Sequence, residues 1–137
     1  MPRSFFDTNV LVYLFDGDAP AKRKKARQLL EQEFEAGRAV LSTQVLQEFY
    51  VSITRKLAEP VPPDLAERAV RDLATLPLML IDGPLVLAAV ARSGAARWSL
   101  WDALIVEAAL ASGADRLFTE DLKSGQKVNG LEIVNPF

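Results

Sequence analysis

Short apolar runs alternate with longer segments of helical periodicity along the whole chain, and this alternation limits its fold more than any other feature. Residues 3–6, 39–41, 78–81, 116–119 and 131–134 read as strands. An apolar stretch over 10–15 begins a helix or helical turn. A helix starting at Ala21 places Ala26, Leu29, Leu30 and Phe34 on one face, and Gly37 ends it. Ser42 or Thr43 is placed to cap the next helix, where Leu46, Phe49, Ile53 and Leu57 recur at three- and four-residue spacing. Asp64 caps a helix through Leu76, and Pro84 suits the first turn of one running to Ser93-Gly94. Ser99 opens a further helix that Gly113 closes. The expected fold is an α/β domain with a largely parallel sheet flanked by helices. The proline-rich stretch 59–63 is too short to be a domain linker, so residues 1–137 are expected to form one domain. Sites in such sheets form beyond the carboxyl ends of the strands.

The chain has no cysteine and no histidine. That excludes disulfides, Cys/His zinc sites, thiol nucleophiles, a Ser-His-Asp triad and the histidine acid–base pairs of many metal-free ribonucleases. If the chain is a hydrolase, carboxylates with hard cations are the leading means left. A net charge of −2 does not resemble a dedicated nucleic-acid-binding domain. Cations held in an acidic pocket nevertheless reverse the local charge and let it engage phosphates. No apolar run approaches the roughly 20 residues that cross a bilayer, and the first residues do not read as a signal peptide, so a cytoplasmic protein is expected.

Position relative to the strands, rather than number, selects four of the 18 acidic residues. Asp7 follows the first strand directly, Glu48 lies about a turn into the helix after the second, and Asp121 lies just past the fourth. Asp102 sits in the first turn of the helix opened by Ser99. All four can be placed at one end of the sheet, where carboxylate oxygens can hold one or two Mg²⁺ or Mn²⁺ ions for phosphodiester hydrolysis. Each also has an ordinary reading. Asp7-Thr8-Asn9 is a good helix cap, and Ser99-Leu100-Trp101-Asp102 has the capping-box spacing. Glu48 is explained as a solvated helix residue and Asp121 as a turn residue. The basic run from Lys22 to Arg27 is expected to form a solvated face, and Trp98 and Trp101 to be core or interface residues, with base stacking a weaker alternative.

Four segments, in this order, carry a family resemblance. They are Phe5-Phe6-Asp7-Thr8-Asn9-Val10-Leu11, Gln47-Glu48-Phe49-Tyr50, Ser99-Leu100-Trp101-Asp102-Ala103-Leu104-Ile105 and Leu117-Phe118-Thr119-Glu120-Asp121-Leu122, the last running on to Val134-Asn135-Pro136-Phe137. The chain resembles the PIN-domain family, and within it the VapC-type toxins of bacterial toxin–antitoxin pairs. The resemblance implies a parallel sheet of order 3-2-1-4-5 and a Mg²⁺- or Mn²⁺-dependent endoribonuclease. It also implies an RNA substrate, a small antitoxin partner and a homodimer. Asp7, Glu48, Asp102 and Asp121 align with the family's acidic positions, Asp7 and Asp102 with its most constant metal ligands. Asn9, Ser99 and Thr119 match positions that support the metal site or substrate. Glu120 is acidic too, and either joins the site or points away.

Two alternatives stand beside this one. A phosphatase of the haloacid-dehalogenase type or a receiver domain also places an Asp after the first strand, but this chain has Asn9 where the phosphatase wants a second Asp. A binding module of the PIN type would hold RNA or protein without cutting, and the complete acidic set speaks against it.

Overall fold

The computed structural model describes residues 2–137. Its centre is a strand buried on both faces, β1 (Ser4–Phe6), in which every side chain is removed from water. That is the signature of a parallel strand covered by helices above and below. β1 pairs in parallel with β2 (Ala39–Ser42) on one side and with β4 (Arg116–Phe118) on the other. Outside β2 lies a short parallel strand, β3 (Leu78–Met79), and outside β4 lies β6 (Leu131–Val134). The order 3-2-1-4-5 expected of the five sequence strands is therefore present, with the fifth of them as β6. A sixth strand, β5 (Lys127–Val128), is added antiparallel at the β6 edge. Asn129 and Gly130 join the two with positive φ angles of 48° and 87°, as a two-residue hairpin turn requires.

Among the described residues six helices cover the sheet: α1 (Thr8–Val12), α2 (Pro20–Glu35), α3 (Thr43–Arg55), α4 (Pro63–Leu73), α5 (Gly83–Ala96) and α6 (Leu100–Ala111). Tyr13–Phe15 continues α1 as a 3-10 turn. Phe5, Phe6, Leu11, Leu41, Phe49, Ile53, Leu117 and Ile133 fill the core without exposure, and Phe6 meets Phe118 at 5.3 Å between ring centroids.

Several local expectations change. Ala26 faces the core, but Phe34 is exposed and Glu33 is buried in its place. The reason is chemical. Glu33 receives the Ser4 hydroxyl at 2.8 Å, Arg38 Nε at 2.6 Å and Arg116 at 2.5 Å, so its charge is compensated where it lies. Asp64 does not cap α4; Pro62 holds that position, Asp64 lies in the first turn, and the helix ends at Leu73 rather than Leu76. α5 runs past Gly94 to Ala96 and stops at Arg97, whose φ is 59°. The all-round apolar stretch 85–91 on α5 is only partly covered: Ala89 is buried, whereas Leu87 is 72% exposed. Among the described residues no helix is long and apolar enough to cross a membrane.

The chain runs β1–β2–β3 to one side and then returns beside β1 to lay down β4. Strand order thus reverses between β1 and β4, and a crevice opens outside their carboxyl ends. Asp7 and Thr119 follow these two strands directly, and the Asp7 N–H donates to the Phe118 carbonyl at 2.9 Å.

Candidate active site

Asp7 caps α1 with extended backbone, and its Oδ1 accepts from the Thr8 N–H at 2.7 Å. The capping reading of Asp7 is therefore correct as far as it goes. Its other oxygen, Oδ2, accepts from the Thr119 hydroxyl at 2.8 Å, with Asn9 Nδ2 at 3.5 Å. Thr119, fully buried beneath, also accepts from the Asp121 N–H at 3.1 Å, and Asn9 Oδ1 accepts from the Glu120 N–H at 3.3 Å. The loop after β4 is thereby tied to the loop after β1.

Two helices bring in the remaining carboxylates. The Ser42 hydroxyl caps α3 by accepting from the Val45 N–H, which sets the helix phase that turns Glu48 toward Asp7. Thr8 Oγ1 then donates to Glu48 Oε1 at 2.8 Å. Ser99 caps α6 by accepting from the Asp102 N–H at 3.1 Å, and Asp102 stands half-buried in that first turn. Gln44 Nε2 bridges α3 and α6, reaching the Trp101 carbonyl at 3.2 Å and Glu48 Oε2 at 3.4 Å.

Asp7, Asn9, Glu48, Ser99, Asp102 and Asp121 line one cavity of about 750 Å³, and Thr119 lies under its floor. Glu120 is not among the lining residues. It pairs with Lys22 at 2.7 Å and receives the Tyr13 hydroxyl, and these partners hold its carboxyl below the usual range although burial acts the other way. Lys22 therefore leaves the solvated face expected for the basic run, whereas Arg23, Lys24, Lys25 and Arg27 are exposed. Trp101, for which the sequence offers base stacking only as the weaker alternative, lines the cavity too, and sequence alone does not single out Thr8, Gln44, Tyr13 or Lys56, which also line it. Their only local signal is proximity to the chosen carboxylates.

The site is electrostatically unsatisfied. Burial pushes the Asp7 carboxyl up to about 7, with Asp121 and Glu48 adding to the rise and the Thr119 and Thr8 hydrogen bonds opposing it. Asp102 is raised as well, first by burial and then by the charge of Asp121. Like charges facing one cavity with oxygen donors only are the chemistry of a hard-cation site. Among the described residues no three acidic side chains are gathered tightly enough to enclose an ion by themselves. A donor set of oxygens alone is compatible with a cation that keeps several of its waters and takes one or two carboxylates.

A family model described as "PIN domain" matches residues 4–127. Compared with curated proteins, the sequence finds no match. Among solved structures the fold is similar to a toxin–antitoxin complex from Klebsiella pneumoniae, with a TM-score of 0.71 and 24% identity over 98% of both chains. It is also similar to DNA-bound VapBC from Salmonella typhimurium, with a TM-score of 0.70 and 19% identity over 100% of both chains. A third is VapC20 of Mycobacterium tuberculosis, named as a toxin cleaving the sarcin-ricin loop, with a TM-score of 0.67 and 21% identity over 86% of this chain and 91% of that one. The family match spans β1 to the first residue of β5 and every acidic residue of the cavity among the described residues. The chain belongs to the PIN domain family.

Proposed function

We propose that the protein is a divalent-metal-dependent endoribonuclease, the toxin of a toxin–antitoxin pair. The observation that carries this reading is the buried Asp7, held by two hydrogen-bond donors at the switch point of the sheet and facing a cavity shared with Glu48, Asp102 and Asp121. Membership of the PIN family favours phosphodiester cleavage over phospho-aspartate chemistry. The solved toxins and toxin–antitoxin complexes of similar fold support the toxin assignment.

Asp7 and Asp102 would hold the ion, and Asp121 and Glu48, which line the same cavity, would add negative charge beside it. When bound, Mg²⁺ or Mn²⁺ supplies activation of water and charge neutralisation at the phosphoryl oxygens. Asp7 has a specific part in loading. Raised to about 7, its carboxyl is partly protonated at neutral pH and must release that proton to act as a ligand, so affinity for the ion increases as pH rises through 7. Thr119 and the Thr8 N–H keep both Asp7 oxygens oriented, while Thr8 Oγ1 and Gln44 orient Glu48. Asn9 and Ser99 hold the loop and helix that present Asp121 and Asp102. Incubation of the purified protein with total RNA and transfer RNA, with Mg²⁺ and with EDTA, tests the reading; cutting only with the metal is expected.

A small antitoxin and a second copy of the chain are the proposed partners, in the cytoplasm where the RNA is. The uncovered apolar face of α5, with Leu87 and Val90 exposed, is where the homodimer is assigned. Light scattering should give twice the chain mass, and Leu87→Glu should return it to one; a wild-type monomer at high concentration rejects the dimer.

A further inference from the structure

We propose that Trp101 and Lys56 position the substrate: the indole stacks on an unpaired base, and the ammonium contacts a backbone phosphate. The proposal rests on the endoribonuclease reading and adds to it the form in which the strand enters.

Trp101 lies on the first turn of α6, immediately before Asp102, and lines the cavity. It is 61% exposed, more than any other large aromatic side chain of the described residues. Its backbone does not share that freedom. The Trp101 carbonyl is held by Gln44, whose amide also reaches Glu48. An open ring on a fixed backbone beside the carboxylates is a stacking platform, and every base offers a π-face to such a ring. A paired base is already stacked and buried in its duplex, so the platform selects unpaired nucleotides.

Lys56 stands at the carboxyl end of α3 and, among the described residues, is the one basic side chain lining the cavity. Attraction to the helix end accounts for a lysine there. Its place decides the rest: Lys56 is exposed on the wall of the cavity, so its ammonium is open to a bound strand. Lys56 has no ion pair among the described residues, although five carboxylates line the same cavity. An acidic cavity repels a polyanion, and an uncommitted ammonium on its wall offsets that repulsion for one phosphate.

The test is fluorescence anisotropy with a labelled oligoadenylate of about 12 nucleotides, a length within the range of single-strand sites. Both variants are made in the Asp7→Asn background, so that the probe stays intact. Trp101→Ala should weaken binding roughly 5- to 100-fold, Trp101→Phe should keep most of it, and a duplex probe should bind weakly to all. Lys56→Ala should reduce the slope of log affinity against log salt by about 0.7, the loss of one single-strand phosphate contact, and Lys56→Arg should restore it. In the cleaving protein both alanine variants should raise KM with kcat nearly unchanged. Unaltered affinity in Trp101→Ala, or an unaltered salt slope in Lys56→Ala, overturns the proposal while the nuclease reading stands. Failure of the wild type to cut any RNA overturns the nuclease reading instead, and the binding series reads out independently of it.

Discussion

Asp7→Asn should lower RNA cleavage on the order of 10³-fold, the rate equivalent of several kcal/mol of lost charge stabilisation, while the chain stays folded. Asparagine keeps the carbonyl oxygen that receives the Thr8 N–H, so α1 remains capped. What disappears is the negative charge for the cation. The same change has a second consequence, in stability. Asp7 titrates near 7 in the fold, chiefly because it is buried. A carboxyl whose pKa is higher in the folded than in the unfolded chain favours folding fully below about pH 4, and that contribution is lost as pH rises through 7. Metal-free wild type should thus lose stability across this window, and the Asp7→Asn variant should not share that part of the loss. At about pH 8 in EDTA the variant should melt no lower than wild type, and Mg²⁺ should raise the melting temperature of wild type only. Thermal unfolding over this pH range checks both statements. A wild type that gains nothing from millimolar Mg²⁺ would count against a cation among these carboxylates.

Glu33→Ala should destabilise the protein by about 3–5 kcal/mol, the usual cost of removing one partner from a buried ion pair. For a chain of this size that is a fall in melting temperature of roughly 10–20 °C. Glu33 is fully buried between α2 and the sheet, and its carboxylate serves Ser4 on β1, Arg38 before β2 and Arg116 on β4. Those three residues come from the amino ends of neighbouring strands, so one carboxylate fastens α2 across the centre of the sheet. Its removal takes a shared partner from two part-exposed guanidinium groups and a buried hydroxyl. The cluster lies at the amino ends of the central strands, the opposite end from Asp7, so cleavage measured well below the melting temperature should stay close to wild type. Denaturant unfolding gives the number. A loss below about 1 kcal/mol would reduce the network to the level of a surface ion pair.

The features legible in the sequence are those that depend on near neighbours. Phe5-Phe6-Asp7 shows a buried strand ending in a carboxylate because both facts lie in adjacent residues, and Ser99 shows a helix start for the same reason. Features that depend on distant partners are not legible in this way. Glu33 takes the place of Phe34 in the core because Ser4 and Arg116, 29 and 83 positions away, join Arg38 in meeting it. Glu120 and Asp121 look alike in the chain, yet Glu120 is drawn off by Lys22, 98 positions away, and only Asp121 lines the cavity. β5 differs from these cases. Two residues carry no readable alternation, but Asn129-Gly130 is the strongest local hairpin signal and does mark the turn. The open indole of Trp101 depends on what does not pack over it, and no local pattern encodes that.

The nature of the cut ends tests the central claim most directly. Attack by the RNA's own 2′-hydroxyl generally needs a base and an acid, and the chain has no histidine for either role. Water as the nucleophile, with the 3′-oxygen leaving in line, leaves a 5′-phosphate and a 3′-hydroxyl. Mass spectrometry of fragments made by the wild-type protein in Mg²⁺ should show those ends alone, with no fragments in EDTA and on the order of 10³-fold fewer from Asp7→Asn. A 2′,3′-cyclic phosphate, or cutting that persists undiminished in EDTA, would contradict it.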